Sequence, residues 1–60
     1  MKIQNEADSV MRAYVICRDQ LDILSEKHGY IINVQIRDDC YIWRFADRSL
    51  IKLDKNGNIV

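Results

Sequence analysis

The sequence predicts an α+β domain: an N-terminal long helix packed on a three-stranded antiparallel meander sheet, in the order α-β-β-β, with a short fourth strand as the variant ending. Three observations carry this expectation. Apolar residues recur with helical spacing as far as residue 28 and alternate with polar ones beyond it. Gly29, a natural helix stop, stands where the spacing changes. Two polar breaks, Ala46–Ser49 and Asp54–Asn58, divide the later stretch, and the second contains the turn dipeptide Asn56-Gly57.

Residues 6–28 read as the helix. Asn5 suits the N-cap, and Glu6 and Asp8 lie in the first turn, where carboxylates favour the helix dipole. Lys27 and His28 lie in the last turn, where cations are favoured. Ala7, Tyr14, Leu21 and His28 share one heptad position, and Val10, Cys17 and Leu24 the position three residues later, so together they form a stripe for the sheet. Met11 widens the stripe on one side and Ala13, Ile16 and Ile23 on the other. The polar wedge of Asp8, Arg12, Asp19, Asp22 and Glu26 is broken only by Val15. The apolar arc is then about 200° wide, where ~100° suffices to pack on one sheet. A chain of 60 residues has little with which to cover the excess. The expectation is a homodimer whose contacts are Met11, Ala13, Ile16 and Ile23. Length points the same way: 23 helical residues span ~35 Å and seven strand residues ~23 Å, so the helix should overhang the sheet.

After Gly29, Tyr30, Ile32, Val34 and Ile36 alternate with Ile31, Asn33, Gln35 and Arg37. Tyr41, Trp43 and Phe45 alternate with Cys40, Ile42 and Arg44. A two-residue turn at Asp38-Asp39 pairs Arg37 with Cys40, and so Ile36 with Tyr41, Val34 with Trp43 and Ile32 with Phe45. All three inner pairs are apolar, as cross-strand packing prefers. Leu50–Leu53 reads as the third strand, with Ile51 and Leu53 inward and Lys52 outward. Ile59 and Val60 suit a short fourth strand.

The opposite sheet face carries Asn33, Gln35, Arg37, Ile42, Arg44 and Lys52. Three cations there oppose an acidic helix back, so a neutral chain can still be dipolar. The surface reads as a binding face for an acidic partner, or as an ordinary solvated sheet face. Three cations are few for nucleic acid, whose tight binders neutralise ~6–10 phosphates. The row Tyr41, Trp43 and Phe45 reads as core rather than as a base-stacking platform.

Composition narrows the function classes. Nine basic and nine acidic residues balance, and 48% of residues are hydrophobic, which argues against disorder and against a nucleic-acid binder driven by charge. No stretch approaches the ~18 apolar residues of a membrane span, and the start lacks the apolar core of a signal peptide, so a cytoplasmic protein is expected. Cys17 and Cys40 then stay as thiols. No metal-ligand spacing, glycine-rich phosphate loop or nucleophile motif occurs. Asp54-Lys55-Asn56-Gly57-Asn58 opens like a calcium loop, but Ile59 stands where that loop needs glycine. His28 and Cys17 are eleven residues apart, ~16 Å along one helix, too far for a nucleophile and its base.

The reading is one domain over 1–60 without catalytic activity, metal or cofactor: a small protein-interaction module, acting as a homodimer that binds another protein as a regulator, inhibitor or accessory subunit. Its size suits the small proteins of phages and mobile elements. The alternatives are a weak nucleic-acid-binding module using Arg37, Arg44 and Lys52, and a structural subunit of a larger hetero-assembly.

Overall fold

A computed structural model describes residues 6–60, with side chains from Asp8 onward. The expected Asn5 cap lies outside the described residues. Helix α1 (Glu6–His28) is followed by strands β1 (Ile31–Ile36), β2 (Cys40–Phe45) and β3 (Leu50–Asp54). The strands form one antiparallel sheet in the order β1-β2-β3, and α1 packs chiefly over β1 and β2. The fold class is the expected one, in a body 42 Å long and 19 × 15 Å across.

The helix ends for local reasons. Gly29 adopts φ +94° and donates its N–H to the Ser25 carbonyl at 2.9 Å, closing the last turn. The chain is then tied to β2 by the Ala46 N–H, which donates to the Tyr30 carbonyl at 2.8 Å. This tie sets the start of β1 and corrects one predicted pair. Ile36 faces Tyr41 and Val34 faces Trp43 as expected, but Ile31, not Ile32, faces Phe45. A bulge between Ile31 and Asn33 absorbs the extra residue. Ile31 therefore packs on the core, whereas Ile32 and Tyr30, expected inward, are exposed.

Asp38 and Asp39 make the expected connection, closed by the Arg37 N–H donating to the Cys40 carbonyl at 2.9 Å. Neither aspartate has positive φ, so this is not the primed turn that Asp-Gly favours. The sheet has three strands. Ile59 adds a single bridge to Leu53, and the Val60 N–H donates to the Lys52 carbonyl at 3.2 Å.

The core joins Ala13, Cys17, Leu21 and Leu24 of α1 to Tyr41, Trp43, Phe45 and Leu53 of the sheet. The aromatic row is thus interior. The helix stripe is rotated from the predicted one: Ala13 is at its centre, and Tyr14 is pushed to its rim. The small side chains of Ala13 and Cys17 leave room for the indole of Trp43, against which Tyr14 packs edge-on at 5.0 Å between ring centroids. The Trp43 N–H has no hydrogen-bond partner, since the Cys17 thiol it faces is a weak acceptor.

The two sides of the helix are covered unequally. On the β3 side the 54–58 turn folds up against α1, and buried Gly57 sits directly beneath the carbonyl of Ile16. On the β1 side nothing comparable among the described residues stands beside the helix, and a groove remains.

Candidate interaction surfaces

The outer sheet face is assembled by strand register. Asn33, Arg44 and Leu50 form one cross-strand row, and Gln35, Ile42 and Lys52 form the next. Asn33, Gln35, Arg37, Arg44 and Lys52 are exposed, with Ile42 half-buried among them. Arg37 Nη2 donates to Gln35 Oε1 at 3.2 Å, which steadies the end of this face. Asp54 ends the β3 row, but its Oδ1 accepts the backbone N–H of Asn56 and of Asn58, each at 2.9 Å. The one acid of the described strands is therefore committed to its own turn. Arg37, Ile42 and Lys52 also line, with Asp38 and Asp39, a shallow depression of about 360 Å³ at the hairpin end. The six residues expected on this face do share it. Leu50, 66% exposed, joins them and was not expected as part of the surface.

The four residues expected to make a dimer contact do not form one patch. Ala13 is fully enclosed in the chain's own core, so it offers no surface. Ile16 packs on that core and lies under the Gly57 turn. Met11 and Ile23 are exposed, but twelve residues of helix separate them by about 120° around the axis. The single wide arc is in fact two flanks, divided by a buried strip.

The β1-side flank is the larger apolar surface. Met11, Tyr14 and Val15 stand exposed on it, and a groove of about 290 Å³ runs between the helix and the start of β1. Its walls are Tyr14, Val15, Leu21 and Ile31, with Arg18 and Asp22 along the outer rim. The sequence holds a signal for it: Met11, Tyr14, Val15, Arg18 and Asp22 follow the i, i+3, i+4 pattern of one helix ridge. Reading Val15 as a break in a polar wedge conceals that ridge.

His28, Asp47 and Ser49 form a polar cluster that sequence reading missed, because 19 and 21 residues separate the partners. His28 Nδ1 lies 2.7 Å from Asp47 Oδ2 and 3.2 Å from Ser49 Oγ, and the Ser49 N–H donates to Asp47 Oδ1 at 2.9 Å. A carboxylate accepts only, so Nδ1 carries the proton. Ser49 and Asp47 thus share one ring nitrogen, whereas a catalytic triad places nucleophile and acid on opposite nitrogens. The cluster clamps the end of α1 to the β2–β3 turn, and the His28 ring packs on Phe45 at 5.7 Å.

Asp47 is held at a pKa of about 2 by hydrogen bonds from the Ser49 side chain, the His28 ring and the Ser49 backbone. Because the folded value is depressed, the stabilisation is present above the ordinary carboxylate range and is lost as pH falls through about 2. In thermal melts followed by circular dichroism, Asp47→Asn should lower the melting temperature at pH 6. The difference from wild type should close as pH falls from 5 to 2. A gap independent of pH would show that ionised Asp47 contributes nothing.

Both cysteines are buried thiols. Burial pushes the Cys17 thiol up, partly offset by the Trp43 N–H, so it is a poor nucleophile. Cys40 is 8% exposed and lies beside Ile42 and Lys52 at the hairpin-end depression of the outer face. Among the described residues no three His, Cys, Asp or Glu side chains are grouped to hold a metal ion, and no helix is long and apolar enough to cross a membrane.

Fold and surfaces together define a small α+β domain with a helix on one face of a meander and a weakly basic surface on the other. In comparisons with protein-family models, curated proteins and solved structures, the chain matches none of them.

Proposed function

We propose that this chain is a non-enzymatic protein-interaction module of the cytoplasm, acting as a homodimer whose outer sheet face binds another protein. The supporting observation is the composition of that face: Arg37, Arg44 and Lys52 surround Ile42 and exposed Leu50, while Asp54 is occupied by its turn. An apolar centre whose rim is cationic except at the hairpin aspartates Asp38 and Asp39 suits a protein surface of the same shape with a mainly acidic rim. Such binding fits a regulator, an inhibitor or an accessory subunit.

The test is site-specific photo-crosslinking in the cell that makes the protein. A photoreactive residue at Ile42, on the central strand of this face, should give a discrete adduct to a protein other than this chain, and one at Glu26 on the helix back should not. Arg44→Glu with Lys52→Glu should abolish the adduct. Equal adducts from both positions, or adducts to nucleic acid instead of protein, would contradict the reading.

A further inference from the structure

We infer that the homodimer forms through the free edge of β1 and the helix flank beside it, joining two three-stranded sheets into one of six strands with both helices on the same face. This rests on the homodimer reading above and replaces the helix contacts that the sequence suggested.

The first support is the edge itself. The Arg37 N–H bonds to Cys40, so by antiparallel alternation Gln35 also turns its backbone groups towards β2, and Val34 and Ile36 turn theirs away from it. At the opposite edge the equivalent outward groups are used: the Lys52 carbonyl accepts from Val60, and the Asp54 N–H donates to Asn58. β1 has no such cover among the described residues. Its sequence, IINVQI, also lacks the charges and prolines by which proteins protect an open edge. A second copy related by a twofold axis perpendicular to the sheet, half a strand spacing outside the middle of β1, supplies an antiparallel strand with the same outward groups.

Spacing is the second support. α1 lies over β1 and β2. With strands ~4.8 Å apart, an axis between them is about 5 Å from the dyad. The two helices would then lie about 10 Å apart, at the upper end of the range for packed helices. They would meet along Met11, Tyr14 and Val15, each filling the other's groove.

Charge is the third. Arg18 and Asp22 sit one turn apart on the rim of that groove, both exposed and without an ion pair among the described residues. Antiparallel helices across a dyad bring Arg18 of one copy to Asp22 of the other, twice. Together with the strand edge, this flank has to bury roughly 500 Å² per chain to reach the roughly 1,000 Å² total of a specific interface.

Sedimentation equilibrium of the full chain and five variants tests the inference, with circular dichroism confirming that each is folded. Wild type at about 50 μM should sediment at twice the 7.1 kDa chain mass. Arg18→Asp and Asp22→Arg should each weaken association at least tenfold, and the double exchange should restore it. Val34→Pro removes an outward N–H along with part of a half-buried side chain, and where circular dichroism shows it folded it should be a monomer. A wild-type monomer at every concentration overturns the homodimer reading altogether. A dimer that survives Arg18→Asp and Val34→Pro, and is dissociated by Ile23→Asp, overturns this interface and leaves the homodimer standing. Weakening by both single exchanges without rescue by the double overturns the antiparallel charge pairing.

Discussion

Replacing Trp43 with alanine should remove most of the folding stability of the chain. Trp43 is fully buried at the centre of the core, in contact with both Tyr14 and Tyr41. Truncating a buried aromatic costs about 3–5 kcal/mol. Folded domains carry about 0.05–0.15 kcal/mol per residue, which for this chain is roughly 3–9 kcal/mol. At the middle of both ranges one substitution thus consumes more than half of the stability. The expected observation in urea titration is a midpoint reduced by at least half, or no cooperative transition. Trp43→Phe keeps a ring in the site and removes the unpartnered indole N–H, so it should cost far less. If Trp43→Ala keeps most of the wild-type midpoint, the core is not where this fold puts it.

The second large effect is expected at Gly57. Its φ of +88° is one that residues with a Cβ adopt at a cost of about 1–2 kcal/mol. Space is the greater obstacle: a Cβ would stand 2.6 Å from the Ile16 carbonyl oxygen and 3.4 Å from Cys17 Cα, both helix backbone. Neither can swing aside, so the turn must lift away from α1. Gly57→Ala should therefore cost about 2–4 kcal/mol in equilibrium denaturation, combining strain with lost packing. Gly29→Ala is the comparison. It carries a similar φ of +94° but meets only the Ala46 side chain, at 2.9 Å, and should cost less. Equal costs, or a neutral Gly57→Ala, would mean that the 54–58 turn does not rest on the helix. Ile16 would then be available for the contact that sequence reading gave it.

The Gly57 contact marks where the sequence was legible and where it was not. Periodicity located the helix and all three strands, because the spacing of apolar residues is a local property. The outer face followed from it, since alternation along a strand fixes which residues share a side. The bulge at Ile32 was not legible: it is imposed by the tie between Tyr30 and Ala46, residues brought together only by folding. The division of the helix arc was hidden for the same reason. Heptad bookkeeping cannot show that a distant turn covers Ile16, or that a tryptophan selects the small Ala13 over Tyr14 for the centre of the stripe. The His28–Asp47–Ser49 clamp joins two elements whose relative placement no short motif records.

The most direct measurement is amide hydrogen exchange along β1, read residue by residue by NMR at high and low protein concentration. Gln35 and Arg37 turn their N–H groups towards β2 and should be protected at both. Val34 and Ile36 turn theirs to the open edge. With a second β1 paired there, these two amides should be slow at high concentration and speed up on dilution. Fast exchange at Val34 and Ile36 at every concentration, beside protected Gln35 and Arg37, would contradict the six-stranded dimer.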